Sequence, residues 1–330
     1  MSDAAIQPFQ RVAVLGLGLL GGSVALAARA CGAAERVVAA GRRRAPLEAA
    51  LRQGVVDEVG EIAEVVRGAD LVVLGAPVGS MPRIVQEAAP HLSEGALVTD
   101  VGSVKAALCE SLPGLLPPGV TYVGAHPMAG SHHRGVGHAR ADLFEGACCV
   151  LTPLPETPPA ARERVAGFWR ALGARVAVRS PAEHDAQVAW MSHVPHVLAF
   201  AFGEALSQAP PGAEELAGSG FRDFTRIARS DAELWGEILS ANRKALARPI
   251  QAFRDALTRL VQAIEDGDGD RLEEGLAAAR QALAGVEVPE CGAPHGAVDD
   301  ASNRPIRGRD PGNSGGPGRS ASPKKVTNDS

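Results

Sequence analysis

Three observations predict the fold class. Between Arg11 and about Ser180, short apolar runs rich in β-formers alternate with amphipathic helical runs. A glycine-rich turn joins the first strand to the first helix, and beyond Pro181 apolar residues fall at helical spacing to about Gly285. Strand alternating with helix implies a parallel sheet covered on both faces. The expectation is therefore an α/β chain: a Rossmann-type doubly wound parallel sheet over residues 1–180, an all-helical dimerisation domain over 181–288, and a disordered tail over 289–330, where Gly, Pro, Ser and charge replace the apolar pattern. A chain of 330 residues with 45% hydrophobic content has material for two cores. Its formal net charge of -5 offers no basic face for nucleic acid, no apolar run is long enough to span a bilayer, and no signal-peptide pattern opens it. The five cysteines are odd in number, scattered and without a CxxC. They predict neither a disulfide framework nor a metal site, and they suit a reducing cytoplasm.

The first strand, Arg11 to Leu15, runs into Gly16-Leu-Gly-Leu-Leu-Gly21, and a small-residue helix follows from Gly22 to Ala30. A strand before and a helix after turn a weak GxGxxG match into a dinucleotide fingerprint. Gly16 permits the tight turn, Gly18 lets a pyrophosphate approach the backbone, and Gly21 lets helix and strand pack closely. With Leu19 and Leu20 they open a helix whose N-terminal amides favour an anion. The second strand, Arg36 to Ala40, ends where the fingerprint expects a carboxylate for the adenosine ribose, but the chain reads Gly41-Arg42-Arg43-Arg44. Guanidinium groups suit a 2′-phosphate, so Arg42 and Arg43 favour NADP over NAD; a solvated arginine turn is the alternative.

Strands follow at Ala69 to Gly75 and Ala96 to Asp100, with a helix at Ser80 to Ala89 between them. The loops after such strands bind ligands. Ala76-Pro77-Val-Gly79 is one, and Asp100-Val-Gly-Ser-Val-Lys105 is the other, with Gly102-Ser103 opening the next helix. Ser103 is either an N-cap or a hydroxyl that touches ligand. A strand at Thr121 to Val123 then delivers the loop Gly124-Ala-His-Pro-Met-Ala-Gly130. Pro127 and the flanking glycines hold His126 in place, which makes it a candidate general base, or else a structural turn histidine. A strand at Gly146 to Thr152, a helix at Pro158 to Leu172 and a strand at Arg175 to Val178 complete this half.

The first helix of the second half holds Glu183-His-Asp185 and then Ser192-His-Val-Pro-His196. His193 and His196 share a face, and Pro195 between them removes an amide donor and predicts a kink. Either they form a site or they are core histidines. Gly218 to Arg226 reads as a glycine turn that delivers an aromatic and charged segment, and Ser230-Asp-Ala-Glu233 has the capping-box pattern for a helix through Trp235. Arg226 either reaches a carboxylate ligand or pairs with Asp223. A helix from Ile250 to Ile264 carries the stripe Phe253, Leu257, Leu260, Val261 and Ile264, the Asp266-Gly-Asp-Gly-Asp270 turn breaks it, and a last helix runs from Arg271 to Ala284. Such stripes call for a covering partner, which a homodimer supplies.

Taken together, Gly16-Leu-Gly-Leu-Leu-Gly21, Asp100-Val-Gly-Ser-Val-Lys105, Gly124-Ala-His-Pro-Met-Ala-Gly130, Ser192-His-Val-Pro-His196 and Gly220-Phe-Arg-Asp-Phe-Thr-Arg226 resemble the prephenate and arogenate dehydrogenase family of tyrosine biosynthesis. The resemblance spans roughly Arg11 to Ala284. It implies NAD(P)-dependent oxidative decarboxylation of prephenate to 4-hydroxyphenylpyruvate, or of arogenate to tyrosine. It also implies that His126 is the catalytic base and that Ser103 contacts the hydroxyl and nicotinamide region. By the same likeness Arg226 binds a substrate carboxylate, His193, His196 and Ser131 line the substrate pocket, and Trp235 lies near the dimer partner's site. Two other readings rank lower. A non-catalytic dinucleotide sensor is expected to lack His126 or Arg226, and a β-hydroxyacid dehydrogenase would want a lysine base where this chain has only Lys244.

Overall fold

The computed structural model describes residues 7–130 and 133–286. Its N-terminal half runs β1 (Phe9–Leu15), α1 (Leu19–Ala30), β2 (Ala34–Ala40), α2 (Arg44–Arg52), β3 (Glu58–Val59), α3 (Ile62–Val65), β4 (Leu71–Leu74), α4 (Met81–Ala88), β5 (Leu97–Asp100), α5 (Ala106–Ser111) and β6 (Thr121–Tyr122). These six strands form one sheet in the order β3-β2-β1-β4-β5-β6, every neighbour parallel. The period-2 geometry of a strand explains why their sequences are continuously apolar rather than alternating. Val12 and Val14 face one core and Ala13 and Leu15 the other; Val37 and Ala39 are set against Val38 and Ala40, and Leu71 and Val73 against Val72 and Leu74. Helix α1 covers the first core through Val24, Ala25 and Ala28, and α4 covers the second through Met81, Ile84 and Val85. The sheet is doubly wound, as expected, and its order reverses between β1 and β4, where the carboxyl ends of such strands leave a crevice for ligand.

A second sheet of three strands follows: β7 (Gly124–Pro127), β8 (Cys148–Thr152) and, after α6 (Pro159–Ala171), β9 (Arg175–Val178). β7 pairs antiparallel with β8, and β8 pairs parallel with β9. His126 is therefore in a strand and not on a loop, opposite Val150. Glycine and proline disguise this strand for physical reasons. Gly124 lies opposite Thr152, whose Oγ1 would be 2.5 Å from a Cβ there, and Pro127 needs no donor on the outer side of an edge strand. Helix α6 packs Val165, Phe168 and Trp169 into the core that α1 covers.

The remainder is helical: α7 (Pro181–Val188), a π-helical turn (Ala189–His193), α8 (Val194–Ala205), α9 (Ser219–Arg226), α10 (Ala232–Ala241), α11 (Arg243–Glu265) and α12 (Gly269–Ala284). The expected kink at Pro195 takes the form of that π turn, after which the proline occupies the first turn of α8, where no amide is required. Four other expectations change. Residues 219–226 are a helix and not a glycine turn, and α11 begins at Arg243 rather than Ile250. Asp231, not Ser230, caps α10 by accepting from the Leu234 amide. Ser103 caps nothing, because α5 starts at Ala106 behind Lys105. Among the described residues no helix is long and apolar enough to cross a membrane. The tail expected over 289–330 and the candidate residue Ser131 lie outside the described residues.

Candidate active site

The turn between β1 and α1 is built from close backbone approaches. Gly16 has a φ of 107°, and a Cβ there would stand 2.7 Å from the Ala76 nitrogen, so the turn packs directly on the loop of Ala76 and Pro77 after β4. A Cβ on Gly21 would meet the Gly16 carbonyl oxygen at 2.1 Å. Gly18 is different: a Cβ there would have nothing within 4 Å, and this residue caps α1 with no side-chain hydrogen bond. The space beside Gly18 is therefore open, and the amides that begin α1 at Leu19 and Leu20 lie at the positive end of a helix dipole, which fits the pyrophosphate of a dinucleotide. Beyond the end of β2, Arg42 and Arg43 are exposed and form no ion pair among the described residues, whereas Arg44 is engaged by Glu48 at 2.8 Å.

Ser103 sits half-buried in the segment between β5 and α5, and two carboxylates hold that segment at its ends. Asp100, fully buried, accepts on Oδ2 from the Gly102 amide at 2.9 Å and from the Lys105 ammonium, and on Oδ1 from the Tyr122 hydroxyl at 2.9 Å and the Ala125 amide at 3.0 Å. One side chain therefore ties the Ser103 segment to the residue that precedes His126. Asp185, from α7, accepts the first amides of α5: Lys105 on Oδ1 at 2.8 Å and Ala106 on Oδ2 at 2.9 Å.

Asp185 also begins a chain of rings. Its Oδ1 is 2.8 Å from Nδ1 of His184, and Nε2 of His184 is 2.8 Å from Nδ1 of His126. Asp185, His184 and His126 are all buried. Burial, and then the positive charge that His184, Lys105 and His193 would set beside it, hold the His126 imidazolium well below its ordinary pKa, so the ring is unprotonated at neutral pH.

A second group of rings lies on the helical side. His193, on the π turn, is buried with its Nδ1 2.9 Å from Nδ2 of Asn242, and the same Nδ2 donates to the Asp185 carbonyl at 3.0 Å. Burial lowers the pKa of His193 to about 4 despite the opposing pull of Asp185. Trp235 meets His193 edge-on at 5.9 Å and stacks on His196 at 3.6 Å with a 19° tilt. Nδ1 of His196 donates to the Ser192 carbonyl at 2.8 Å. Arg226, exposed at the end of α9, pairs with no carboxylate among the described residues, Asp223 included, and after burial its charge helps to depress the His196 pKa.

The structure therefore brings His126 and His193 together through Asp185 and Asn242, and His193 and His196 through Trp235. Sequence reasoning missed Asp100, Lys105, Tyr122, His184, Asp185 and Asn242. The adjacent His184-Asp185 pair was a usable signal. Asn242 was not, because its position between α10 and α11 fell inside a stretch with no motif. Among the described residues no group of three or more His, Cys, Asp and Glu could hold a metal ion.

Residues 24–178 match the family model described as prephenate dehydrogenase, nucleotide-binding domain, and residues 180–278 match prephenate dehydrogenase, dimerization domain. The chain is 35% identical over 272 residues to the cyclohexadienyl dehydrogenase of Zymomonas mobilis, covering 81% of this chain and 92% of that one. It is 31% identical over 287 residues to the prephenate dehydrogenase of Bacillus subtilis, covering 86% and 77%. Among solved structures, prephenate dehydrogenase from Aquifex aeolicus in complex with hydroxyphenyl propionate and NAD+ aligns with a TM-score of 0.78 at 30% identity, over 85% of this chain and 99% of that one. Arogenate dehydrogenase from Synechocystis aligns with a TM-score of 0.71 at 31% identity, over 83% and 99%.

Proposed function

This chain belongs to the prephenate dehydrogenase family, and on that premise we propose that it oxidises and decarboxylates prephenate to 4-hydroxyphenylpyruvate. A bound nicotinamide supplies the hydride acceptor. The unprotonated imidazole of His126 takes the proton of the ring hydroxyl while hydride leaves the same carbon, and loss of the ring carboxylate as carbon dioxide aromatises the ring. Ser103 hydrogen-bonds near the hydroxyl and the nicotinamide. Arg226 anchors a substrate carboxylate by a charge-assisted pair, and His193, His196 and Trp235 line the pocket. Gly16, Gly18, Leu19, Leu20 and Gly21 cradle the pyrophosphate, with Ala76 and Pro77 against the turn.

The observation that carries this proposal is His126: a buried base with a depressed pKa, fixed on one side to the segment that holds Ser103 and on the other to the helical half. Arg42 and Arg43, exposed and without an ion pair among the described residues where a ribose-binding carboxylate would stand, support NADP over NAD. The exposed Leu257, Val261 and Ile264 on α11 and Leu276 and Leu283 on α12 support a homodimer formed by a domain that starts near residue 181. The free thiols of Cys31, Cys109 and Cys149 suit a cytoplasmic enzyme. Likeness to the Synechocystis arogenate dehydrogenase keeps arogenate as the second substrate to try. Formation of reduced nicotinamide in a grid of prephenate or arogenate against NAD or NADP tests the proposal. Turnover of prephenate with NADP is the expected result, and bound cofactor with no turnover in any cell overturns it.

A further inference from the structure

We propose that Asp185 is a positioning residue that fixes opposite tautomers on the two central histidines, leaving His126 with a bare Nε2 and His193 with an Nε2–H. The inference rests on the proposed role of His126 as the base.

The order of protons follows from the hydrogen bonds. A carboxylate only accepts, and Asp185 already takes one backbone amide on each oxygen, so we assign Nδ1 of His184 as the donor in their 2.8 Å contact. With one proton per ring, Nε2 of His184 is then a lone pair. Across the next 2.8 Å contact Nδ1–H of His126 donates to it, and Nε2 of His126 is left as the acceptor that a general base requires. The backbone of the same aspartate sets the other ring. Only an amide NH2 can donate to the Asp185 carbonyl, which orients Asn242, and the second hydrogen of that NH2 points at Nδ1 of His193. His193 accepts there and carries its proton on Nε2. Its pKa of about 4 keeps it neutral, so it remains a donor without becoming a competing charge. One ring is thus set to take a proton and the other to give a hydrogen bond, a division that lets a substrate hydroxyl and a substrate oxygen be told apart. Through His184, Asp185 also orients His126 and stabilises the imidazolium that forms there, as the buried aspartate does for the histidine of the serine protease triad.

Two measurements test this on the full chain. Long-range 1H–15N spectra of the unliganded protein should assign the proton of His126 to Nδ1 and that of His193 to Nε2. An Nε2–H on His126, as an imidazolium at His184 would impose, overturns the proposal whether or not any variant folds. In kinetics, His184→Leu removes the acceptor, whereas His184→Gln keeps one oxygen to accept and one NH2 to donate. The leucine variant should lose about a hundredfold or more in kcat with KM changed less than about threefold, and glutamine should restore most of the loss. Equal losses in the two variants would mean that His184 serves only as packing, and the proposal falls. A wild-type protein that shows the expected tautomers but turns over no substrate leaves the relay standing and removes the proposed reaction instead.

Discussion

Replacing Asp100 with asparagine should be among the most damaging conservative changes in the protein. All four groups around this carboxylate are donors: the Gly102 amide and Lys105 ammonium on one oxygen, the Tyr122 hydroxyl and Ala125 amide on the other. An asparagine NH2 placed on either side meets a backbone amide that cannot reverse its role. The substitution also leaves the Lys105 ammonium, which has no exposed surface, without its counter-charge. Removing one partner of a buried ion pair costs about 3–5 kcal/mol. For a domain of this size that corresponds to a drop of about 10 °C in Tm. Thermal and urea unfolding of Asp100→Asn, of Lys105→Met and of the double variant would measure it. The double variant should regain a large part of the loss, since no unpaired charge remains. A single variant within about 1 kcal/mol of wild type, or a double variant worse than the sum of the two singles, would refute the reasoning.

Other outcomes follow from the same geometry. Gly21→Ala would place a Cβ 2.1 Å from the Gly16 carbonyl, so cofactor affinity and stability should both fall; Gly18→Ala meets no neighbour and should lower affinity by titration while leaving Tm unchanged. The base works unprotonated, and burial with His184, Lys105 and His193 around it depresses the pKa of His126, so the acid limb of kcat/KM against pH should lie below 6.5. A limb centred above that value would contradict the assignment. Arg226→Ala should raise KM for the substrate by about tenfold to a hundredfold, the worth of one charged hydrogen bond, and leave cofactor binding as it was. A change in cofactor affinity alone would place Arg226 elsewhere.

The sheet was legible in the sequence because fully buried parallel strands leave an unmistakable record: β1, β2 and β4 are apolar at successive positions and not at alternate ones. The glycine turn was legible because backbone contact at Gly16 and Gly21 excludes any side chain. β7 was not, because an edge strand tolerates the glycine and proline that ordinarily mark a loop, and the Gly124–Thr152 contact that requires glycine joins residues far apart in sequence. The residues with likenesses to known motifs were found, and the residues that hold them were missed. Asp100 touches Ala125 and Asp185 touches Lys105 across long separations, and no local spacing encodes such pairs. His126 itself was found for a reason that proved incomplete: its rigidity comes from a strand and a buried histidine, not from Pro127 alone.

The most direct test compares wild-type protein with His126→Asn, following reduced nicotinamide formation from prephenate alongside cofactor binding by titration. Turnover should collapse by about a hundredfold or more while cofactor affinity and Tm stay as in wild type. Turnover that survives the substitution would contradict the assignment of His126 as the base.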